Sequence, residues 1–443
     1  MTVLVFVLLG LFALLLLNVP IAISLALPVI AYFYWFTTFP MMMVAQKLFT
    51  NIASVPLMAV PFFILAASLM RTGGVAGRLV GLGTAMVGEY PGGLAMAGVL
   101  ACTFFAAISG SSSATVIAIG SIMIPAMLRA GYDKRLAIGS ITTAGALGIL
   151  IPPSIPMIVY GFVTETSIPQ LFVAGILPGL FLSALLMGTT YIVARRSGYT
   201  RGPRVSIREK LRALKRAFWS LLLPVIVIVG IYGMPEMRIA GQTFGGTGFF
   251  TPTEASIIAV VYAFIVGVFI YRELPLRQVP KVVLESASII GMLMFVITCA
   301  IFFGFLIASL QIPLKISQAI LAANMSPWMF LLLVNVILFF AGDFMDAVPI
   351  IAIFVPILFP AAVALGIDPV HFGIVVTVNL ELGTITPPVG LNLYVASGIT
   401  KVPVYTVLRY VLPWMLAVVV CLLVVTYYPP LSTVLPTLLW PAR

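Results

Sequence analysis

Long apolar runs, separated by short polar segments, fill almost the whole chain. A helix crosses the hydrocarbon core of a bilayer, about 30 Å thick, with roughly 20 apolar residues. The pattern therefore predicts an all-α polytopic membrane protein with roughly a dozen spans or half-spans. The runs lie at residues 2–18, 20–37, 56–70, 93–108, 113–128, 136–163, 170–194, 218–233, 252–271, 282–310, 328–341, 347–365, 370–398 and 404–428.

Two pairs of these runs are marginally short for a crossing, and only a few small or polar residues separate the members of each pair. The pairs are 93–108 with 113–128, and 328–341 with 347–365. Two short apolar helices that meet at a polar tip indicate a re-entrant hairpin. Such a tip is tolerated at membrane depth only where protein buries it or it lines a water-filled cavity. We therefore predict two re-entrant helical hairpins.

Two of the long runs are each interrupted by consecutive prolines. The pairs are Pro152–Pro153, within 136–163, and Pro387–Pro388, within 370–398. Tandem prolines remove two backbone donors and clash with the preceding turn, so each helix must open there. A simple proline kink would explain one such pair, whereas two pairs in matching contexts favour a functional break.

The two halves of the chain match at a constant offset of 235 positions through these regions. The matched residues fix backbone shape, which makes a chance agreement improbable. They indicate two copies of a unit composed of hairpin, broken helix and closing helix. The pairs include Pro125 with Pro360, Gly131 with Gly366, Asp133 with Asp368, and Gly148 with Gly383.

The placement of charge predicts that the two copies are inverted. Residues 195–216 carry nine cations against the single acid Glu209, which places this segment in the cytoplasm. Counting spans from there puts the base of the first hairpin inside and the base of the second outside. The cations that do not fit are Lys47, Arg238, Lys315 and Arg443. The N-terminus lies outside if 2–18 and 20–37 are separate spans, and inside if they form one bent helix.

Composition excludes a soluble domain, because 62% of the residues are hydrophobic and 8% are charged, against about 25% charged in soluble domains. The net charge of +11 lies in short loops between apolar runs, which argues against a nucleic-acid partner. The first run lacks a basic leader and a cleavage site, so we expect it to be retained. No phosphate-binding loop of the G-x-x-x-x-G-K-[ST] type occurs. Energy must then come from an ion gradient or from another subunit.

The first hairpin tip reads SGSSSATV, from Ser109 to Val116. Its hydroxyl and carbonyl oxygens are ligands that suit sodium, and the following helix presents free amides to a carboxylate near Ser113. Close packing of small residues between helices is the alternative explanation. Because the cluster falls on a hairpin tip, we favour a binding role.

The second tip reads GDFMDAVP, from Gly342 to Pro349, and contains Asp343 and Asp346. An ionisable residue at membrane depth indicates function by default. We expect Asp346 to orient a ligand or to balance the charge of a cation. Capping of the second half-helix is an alternative that is compatible with this role.

The proline breaks add further polar or carbonyl-exposing positions: Gly148, Ser154, Gly383, Thr384, Thr386 and Asn392. Neither tip and neither proline break contains Lys or Arg. We therefore expect amide dipoles, hydroxyls and sodium to hold an anionic substrate. Glu381 has no assigned role beyond a possible charge partner, and His371, the only histidine, is interpreted as a surface or interface residue.

Several stretches in this order resemble the large membrane subunit of the tripartite ATP-independent periplasmic (TRAP) transporters. They include SGSSSATVIAIGSIMIPAM, GYDKRLAIG, ILIPPSIPMIVYG, TPTEAS, FMDAVPIIAIFVPILFP, GIDPVHFGI and GTITPPVGLNLYVASGI. The resemblance implies an elevator-type fold of the ion-transporter superfamily and sodium-coupled uptake across a bacterial inner membrane. It also implies a small four-helix membrane subunit and a periplasmic binding protein that delivers an organic acid, with a lean towards four-carbon dicarboxylates. No small subunit precedes the chain, so we expect that partner to be a separate polypeptide.

The resemblance places cation and substrate contacts on the serines of the first tip, Ser154 and Asp346. With the residues above, we predict a sodium site and a substrate site and no other cofactor. The predicted sodium ligands are Ser109, Ser112, Ser113, Gly148, Pro152, Gly342, Gly383, Thr386 and Pro387. The predicted substrate contacts are Ser111, Ser154, Asp346 and Asn392.

We divide the chain into scaffold and transport elements. Residues 1–90 form N-terminal scaffold spans and an interfacial arm, 91–194 the first transport element, and 195–216 a basic linker. Residues 217–327 form further scaffold spans, 328–428 the second transport element, and 429–443 a C-terminal tail.

Two other functions remain open. A stand-alone ion-coupled dicarboxylate carrier would share the hairpins and breaks but need no binding protein. An intramembrane aspartyl enzyme would use Asp343 and Asp346, although that chemistry requires two carboxylates on facing helices.

Overall fold

The computed structural model describes residues 2–17, 19–38, 40–233, 237–239, 242–244 and 248–440. Within these ranges the chain is helical apart from its connections and one short antiparallel β-ribbon. In the same ranges nine helices are long and apolar enough to cross a membrane, or up to ten spans if one bent pair is counted as a span. The fold is the predicted all-α polytopic one.

The N-terminal scaffold begins with two apolar helices and continues to a sharply bent pair. The bend is 69° and separates the stretch Pro56–Thr72, which begins with a 3-10 turn, from the glycine-rich helix Val75–Val87. This helix belongs to residues 1–90, in which an interfacial arm was predicted. Gly74, in the bend, has a positive φ of 78°, which glycine adopts without steric cost. The helices are α1 (Thr2–Leu16), α2 (Ile21–Phe36), α3 (Met41–Ile52), α4 (Ala59–Thr72) and α5 (Val75–Val87).

The first transport element follows as a hairpin, a broken helix and a long closing helix. Its helices are α6 (Gly93–Ser109), α7 (Ser112–Arg129), α8 (Lys134–Ala144), α9 (Leu147–Leu150), α10 (Ile155–Thr164) and α11 (Ile168–Arg196). The break between α9 and α10 contains Pro152–Pro153, whose peptide bond is cis. α5 packs against α6, which joins the arm to the hairpin.

The middle of the chain returns to scaffold helices. They are α12 (Ile207–Tyr232), α13 (Pro252–Ile265), α14 (Val279–Ser309) and α15 (Ile312–Ala322), with β1 (Met237–Ile239) paired to β2 (Gln242–Phe244) after α12. A π-helical turn, Val266–Ile270, extends α13, and a 3-10 turn, Leu276–Gln278, precedes α14. α12 begins within the predicted basic linker, because Ser206 and Glu209 form a capping box that starts the helix before the apolar run begins.

The second transport element has the same order of elements as the first. Its helices are α16 (Pro327–Phe344), α17 (Ala347–Ala364), α18 (Pro369–Gly383), α19 (Leu391–Thr400) and α20 (Val404–Tyr427), and α21 (Pro430–Leu439) lies in the predicted tail. The break between α18 and α19 contains the second cis Pro-Pro bond. The inversion of the two copies stays a prediction. Residues 441–443, with Arg443, and the side chain of Arg238 lie outside the described part of the chain.

The two broken helices form the centre of the molecule. An 18-residue apolar stretch of Lys134–Thr164 is 89% buried inside the protein, whereas the corresponding stretch of α12 is 33% buried. The second half of each broken helix packs against the hairpin of the other copy, α10 against α17 and α19 against α7. His371 was predicted as a surface or interface residue, and the surface alternative is wrong: it is 3% exposed, and its Nδ1 lies 2.8 Å from the Ser432 hydroxyl of α21.

Candidate functional site

The tip of the first hairpin contacts the first proline break through its backbone. The amide of Ile155 donates to the carbonyl of Gly110, 3.4 Å away. Gly148 approaches the same tip so closely that a Cβ at this position would overlap the carbonyl of Ser111 and lie 2.8 Å from the Thr115 hydroxyl. A side chain there would push the tip and the break apart.

The tip of the second hairpin meets the second proline break in a comparable way. The amide of Val389 donates to the carbonyl of Asp343 at 3.0 Å. A Cβ at Gly383 would lie 2.8 Å from the Cα of Gly342, so these two glycines permit direct backbone contact. In both copies, a hairpin tip is therefore held against a Pro-Pro break by backbone contacts.

A cluster of oxygen atoms lies at the first of these junctions. The hydroxyls of Ser109 and Thr115 are 2.8 Å apart, and the Thr115 hydroxyl also donates to the carbonyl of Ser111 at 2.9 Å. Neutral hydroxyl and carbonyl oxygens are suitable ligands for a hard cation. Thr115 was not among the predicted ligands, although its position four residues after Ser111 places both on one side of the helix start.

The second junction offers a carboxylate in addition to hydroxyls. The Asp343 carboxylate lies beside the Thr386 hydroxyl, which also donates to the carbonyl of Leu382 at 2.8 Å. Asp343 Oδ1 is buried and has no hydrogen-bond partner among the described residues. Asp343 therefore joins the predicted Gly342, Gly383 and Thr386 as a candidate cation ligand, a role that the sequence alone did not assign to it.

Asn392 connects the two copies at the centre of the site. Its Nδ2 donates to the Ser112 hydroxyl at 2.7 Å, and it lies 3.3 Å from the Thr384 hydroxyl and 3.4 Å from the Thr142 carbonyl. Its Oδ1 is buried without a partner in the described part of the chain. One amide thus links the first tip, the first broken helix and the second break, and retains a free acceptor.

Asp346 begins α17, but its side chain makes no capping hydrogen bond. It lies at the N-cap position, where such a bond would be expected. The residue instead lines a cavity that also contacts the first tip. The capping explanation of this acid is therefore limited to its contact with the backbone of Ala347, the first residue of the helix.

The cavity has a volume of about 560 Å³ and is bounded by both hairpin tips and the scaffold. The scaffold wall is formed by one face of α4, within residues 64–71, and one face of α14, within residues 289–293. The predicted site residues that line it are Ser109, Ser111, Ser112, Ser113, Asp346 and Asn392. Arg71 was missed, since it lies far along the sequence from both tips and both breaks.

The remaining predicted residues lie at the breaks, except Gly342 at the second tip, and none of them lines the cavity. Ser154 caps α10: its hydroxyl donates to the Ile149 carbonyl at 2.5 Å and accepts from the Met157 amide at 3.4 Å. Gly148, Pro152, Gly342, Gly383 and Thr386 are buried, while Pro387 is exposed. Glu381 is fully buried with both carboxylate oxygens unpartnered among the described residues.

The sequence model of one protein family, described as "Tripartite ATP-independent periplasmic transporter, DctM component", matches residues 8–431. Such proteins are transport permeases, which removes the alternative of an intramembrane aspartyl enzyme. Among solved structures, the chain is similar to the YdaH transporter of Alcanivorax borkumensis, with a TM-score of 0.58 and 18% identity over 90% of each chain. This likeness concerns the fold alone.

Curated relatives cover nearly the whole chain. It is 48% identical to the "C4-dicarboxylate TRAP transporter large permease protein DctM" of Rhodobacter capsulatus, over 97% of this chain and 98% of that protein. It is 35% identical to the "Sialic acid TRAP transporter permease protein SiaT" of Haemophilus influenzae (strain 86-028NP), over 96% of this chain and 67% of that protein. The chain therefore belongs to the DctM component family of the tripartite ATP-independent periplasmic transporters and is a multi-pass protein of the bacterial inner membrane.

Proposed function

We propose that this chain is the transport subunit of a sodium-coupled uptake system whose cargo is a four-carbon dicarboxylate. The observation that carries the proposal is the cavity of about 560 Å³ that touches both hairpin tips and the scaffold. The dicarboxylate is favoured by the relative of Rhodobacter capsulatus at 48% identity, whose name specifies C4-dicarboxylates. The sialic acid relative is less similar, at 35% identity.

Substrate contacts are proposed for Ser111, Ser113 and Asn392 in the cavity wall. Ser111 is the N-cap of α7. The amides of the first turn and the positive end of the helix dipole favour an anion at this position. The free Oδ1 of Asn392 accepts a hydrogen bond from a substrate hydroxyl or a protonated carboxyl. Asp346 repels an unaccompanied dianion and balances a cation that arrives with it.

Sodium is proposed to bind where each tip meets its break. Ser109, Thr115 and the Ser111 carbonyl supply oxygens in the first copy, and Asp343 with Thr386 supplies them in the second. Binding there stabilises the contact between tip and break, and thereby fixes the serines and Asp346 that contact the substrate. Movement of both transport elements together against the scaffold, in the manner of an elevator, then carries the cavity across the membrane.

The partners proposed are a small membrane subunit and a periplasmic binding protein that delivers the substrate. The test reconstitutes the chain with both partners in proteoliposomes and measures uptake of labelled succinate under an inward sodium gradient. Uptake is expected only with sodium and binding protein present, and equal uptake with potassium in place of sodium contradicts the coupling.

Two further arms of this experiment separate the alternatives. Uptake of succinate by the chain alone, without binding protein, favours a stand-alone carrier. If labelled sialic acid is taken up with its own binding protein and succinate is not taken up, the cargo is reassigned but the transport role stands.

A further inference from the structure

Arg71, in the last turn of α4, lines two separate cavities. The first is the cavity between the hairpin tips. The second has a volume of about 680 Å³ and lies between the scaffold and α7, where Ile122 contributes to its wall. Arg71 is thus the residue at which the proposed substrate cavity adjoins a second space.

The second cavity is strongly basic. Its charged lining residues are Arg71, Arg78, Lys215, Arg216 and Glu273. Arg78 is engaged already, since it forms an ion pair of 2.6 Å with Glu273 and stacks on the Tyr271 ring with its guanidinium carbon 3.6 Å from the centroid. Arg71 has no hydrogen-bond or ion-pair partner in the part of the chain that the structure describes. An exposed arginine with an unused fork of donors is available to an anion.

The charge of the tip cavity leads to the same residue. Among the described residues that line it, the charged ones are Asp346 and Arg71. The two charges cancel. A dicarboxylate that enters the cavity therefore meets no net positive charge other than the amide dipoles and any bound sodium. Loss of Arg71 would leave one negative charge facing a dianion, in a space partly shielded from water, where charge interactions are stronger than in bulk solvent.

The second cavity adjoins the cytoplasmic side on the predicted topology. Lys215 and Arg216 belong to the cation-rich start of α12, and positively charged segments of this kind remain in the cytoplasm. Substrate that leaves the tip cavity on this side therefore passes Arg71 and then meets a basic surface. A cleft that is lined by charges of one sign concentrates ions of the opposite sign.

We infer that Arg71 binds one carboxylate of the substrate at the cytoplasmic mouth of the tip cavity, and that the basic cavity beyond it receives the released anion. This inference rests on the proposed dicarboxylate transport. Arg71 belongs to the scaffold, whereas the serines, Asp346 and Asn392 belong to the transport elements. The substrate is therefore held from both sides in the conformation that the structure shows.

The test measures equilibrium binding of labelled succinate, in sodium, to the purified complex of this chain with its small subunit. Succinamide, in which neutral amides replace both carboxylates, is the competing ligand. Variants R71Q and R71K are compared with R277Q, a matched control that removes an exposed cation outside both cavities. Thermal melting of each complex reports on folding.

R71Q is expected to raise the Kd for succinate about tenfold, the size of effect typical of one charge-assisted hydrogen bond. It should change the Kd for succinamide much less, so the preference for succinate over succinamide shrinks. R71K should retain part of the preference, because it keeps the charge but loses the planar fork. R277Q should match the wild type.

An R71Q complex that binds both ligands as the wild type does overturns the inference, while sodium-driven succinate uptake in the wild type leaves the proposed function standing. Equal weakening of succinate and succinamide also overturns it, because loss of a carboxylate contact must discriminate between a ligand with carboxylates and one without. A wild-type complex that neither binds nor transports succinate overturns both the inference and the proposed cargo.

Discussion

Replacement of Gly383 by alanine should separate the second hairpin tip from its proline break. The added Cβ would lie 2.8 Å from the Cα of Gly342 and 3.1 Å from its carbonyl carbon and oxygen. Ordinary contacts begin near 3.4 Å, so the two backbones must move apart by about 0.6 Å. Overpacking of this kind costs about 1–3 kcal/mol. Backbone cannot rotate away as a flexible side chain would, so the site has little means of relief.

The expected consequence is a loss of stability together with a loss of sodium affinity. If about 1.4 kcal/mol of the strain falls on the cation-bound state, the sodium concentration for half-maximal transport rises about tenfold. Melting of the purified complex, with and without sodium, measures the first quantity, and uptake of succinate at graded sodium concentrations measures the second. Ligand binding to the folded state raises the melting temperature, so the sodium-dependent shift should shrink.

Gly398→Ala is the matched control. Gly398 is also a helical glycine, in α19 of the same copy, and a Cβ there would meet nothing within 4 Å. Its replacement should stabilise the protein by roughly 0.5–1 kcal/mol, because alanine restricts the unfolded chain more than glycine does. A Gly383→Ala protein that melts and responds to sodium as Gly398→Ala does would refute the close-contact reasoning.

Three further substitutions test single residues of the site. Asp346→Asn should abolish succinate uptake with little change in melting temperature, because the side chain makes no capping bond; undiminished uptake would remove Asp346 from the site. Thr115→Val should raise the sodium requirement for uptake several-fold, whereas Thr103→Val, which removes a buried hydroxyl elsewhere in the first hairpin, should alter melting alone; equal sodium requirements in both would argue against the first oxygen cluster. Ser154→Ala should cost about 0.5–2 kcal/mol of stability through loss of the α10 cap and leave the succinate Kd unchanged, and a raised Kd would restore Ser154 as a substrate contact.

The elements that position the site could be predicted because local chemistry dictates them. Pro152 and Pro387 open their helices whatever surrounds them, and Gly110 ends α6 with a positive φ of 62°. The start of α12 was missed for a different reason. Its capping box, Ser206 with Glu209, precedes a cation-rich stretch, and the apolar run that signals a span begins only later.

The residues that were missed depend on contacts between distant segments. Arg71 lies on α4, and only the tertiary fold brings that helix to the hairpin tips. Asp343 becomes a cation-ligand candidate through Thr386, across the junction between hairpin and break. The burial of His371 was not predicted, because its nearness to a loop in sequence gave no sign that α21 would cover it. Ser154 shows the converse, since a resemblance assigned it to the substrate while a local capping bond occupies its hydroxyl.

The exchange of partners between the copies, with α10 on α17 and α19 on α7, makes the duplicated unit incomplete when taken singly. A single copy would leave its hairpin without the half-helix that covers it. The two tips differ in chemistry, with serines at the first and aspartates at the second. The exchange of partners thus brings two chemically different tips to the wall of one cavity.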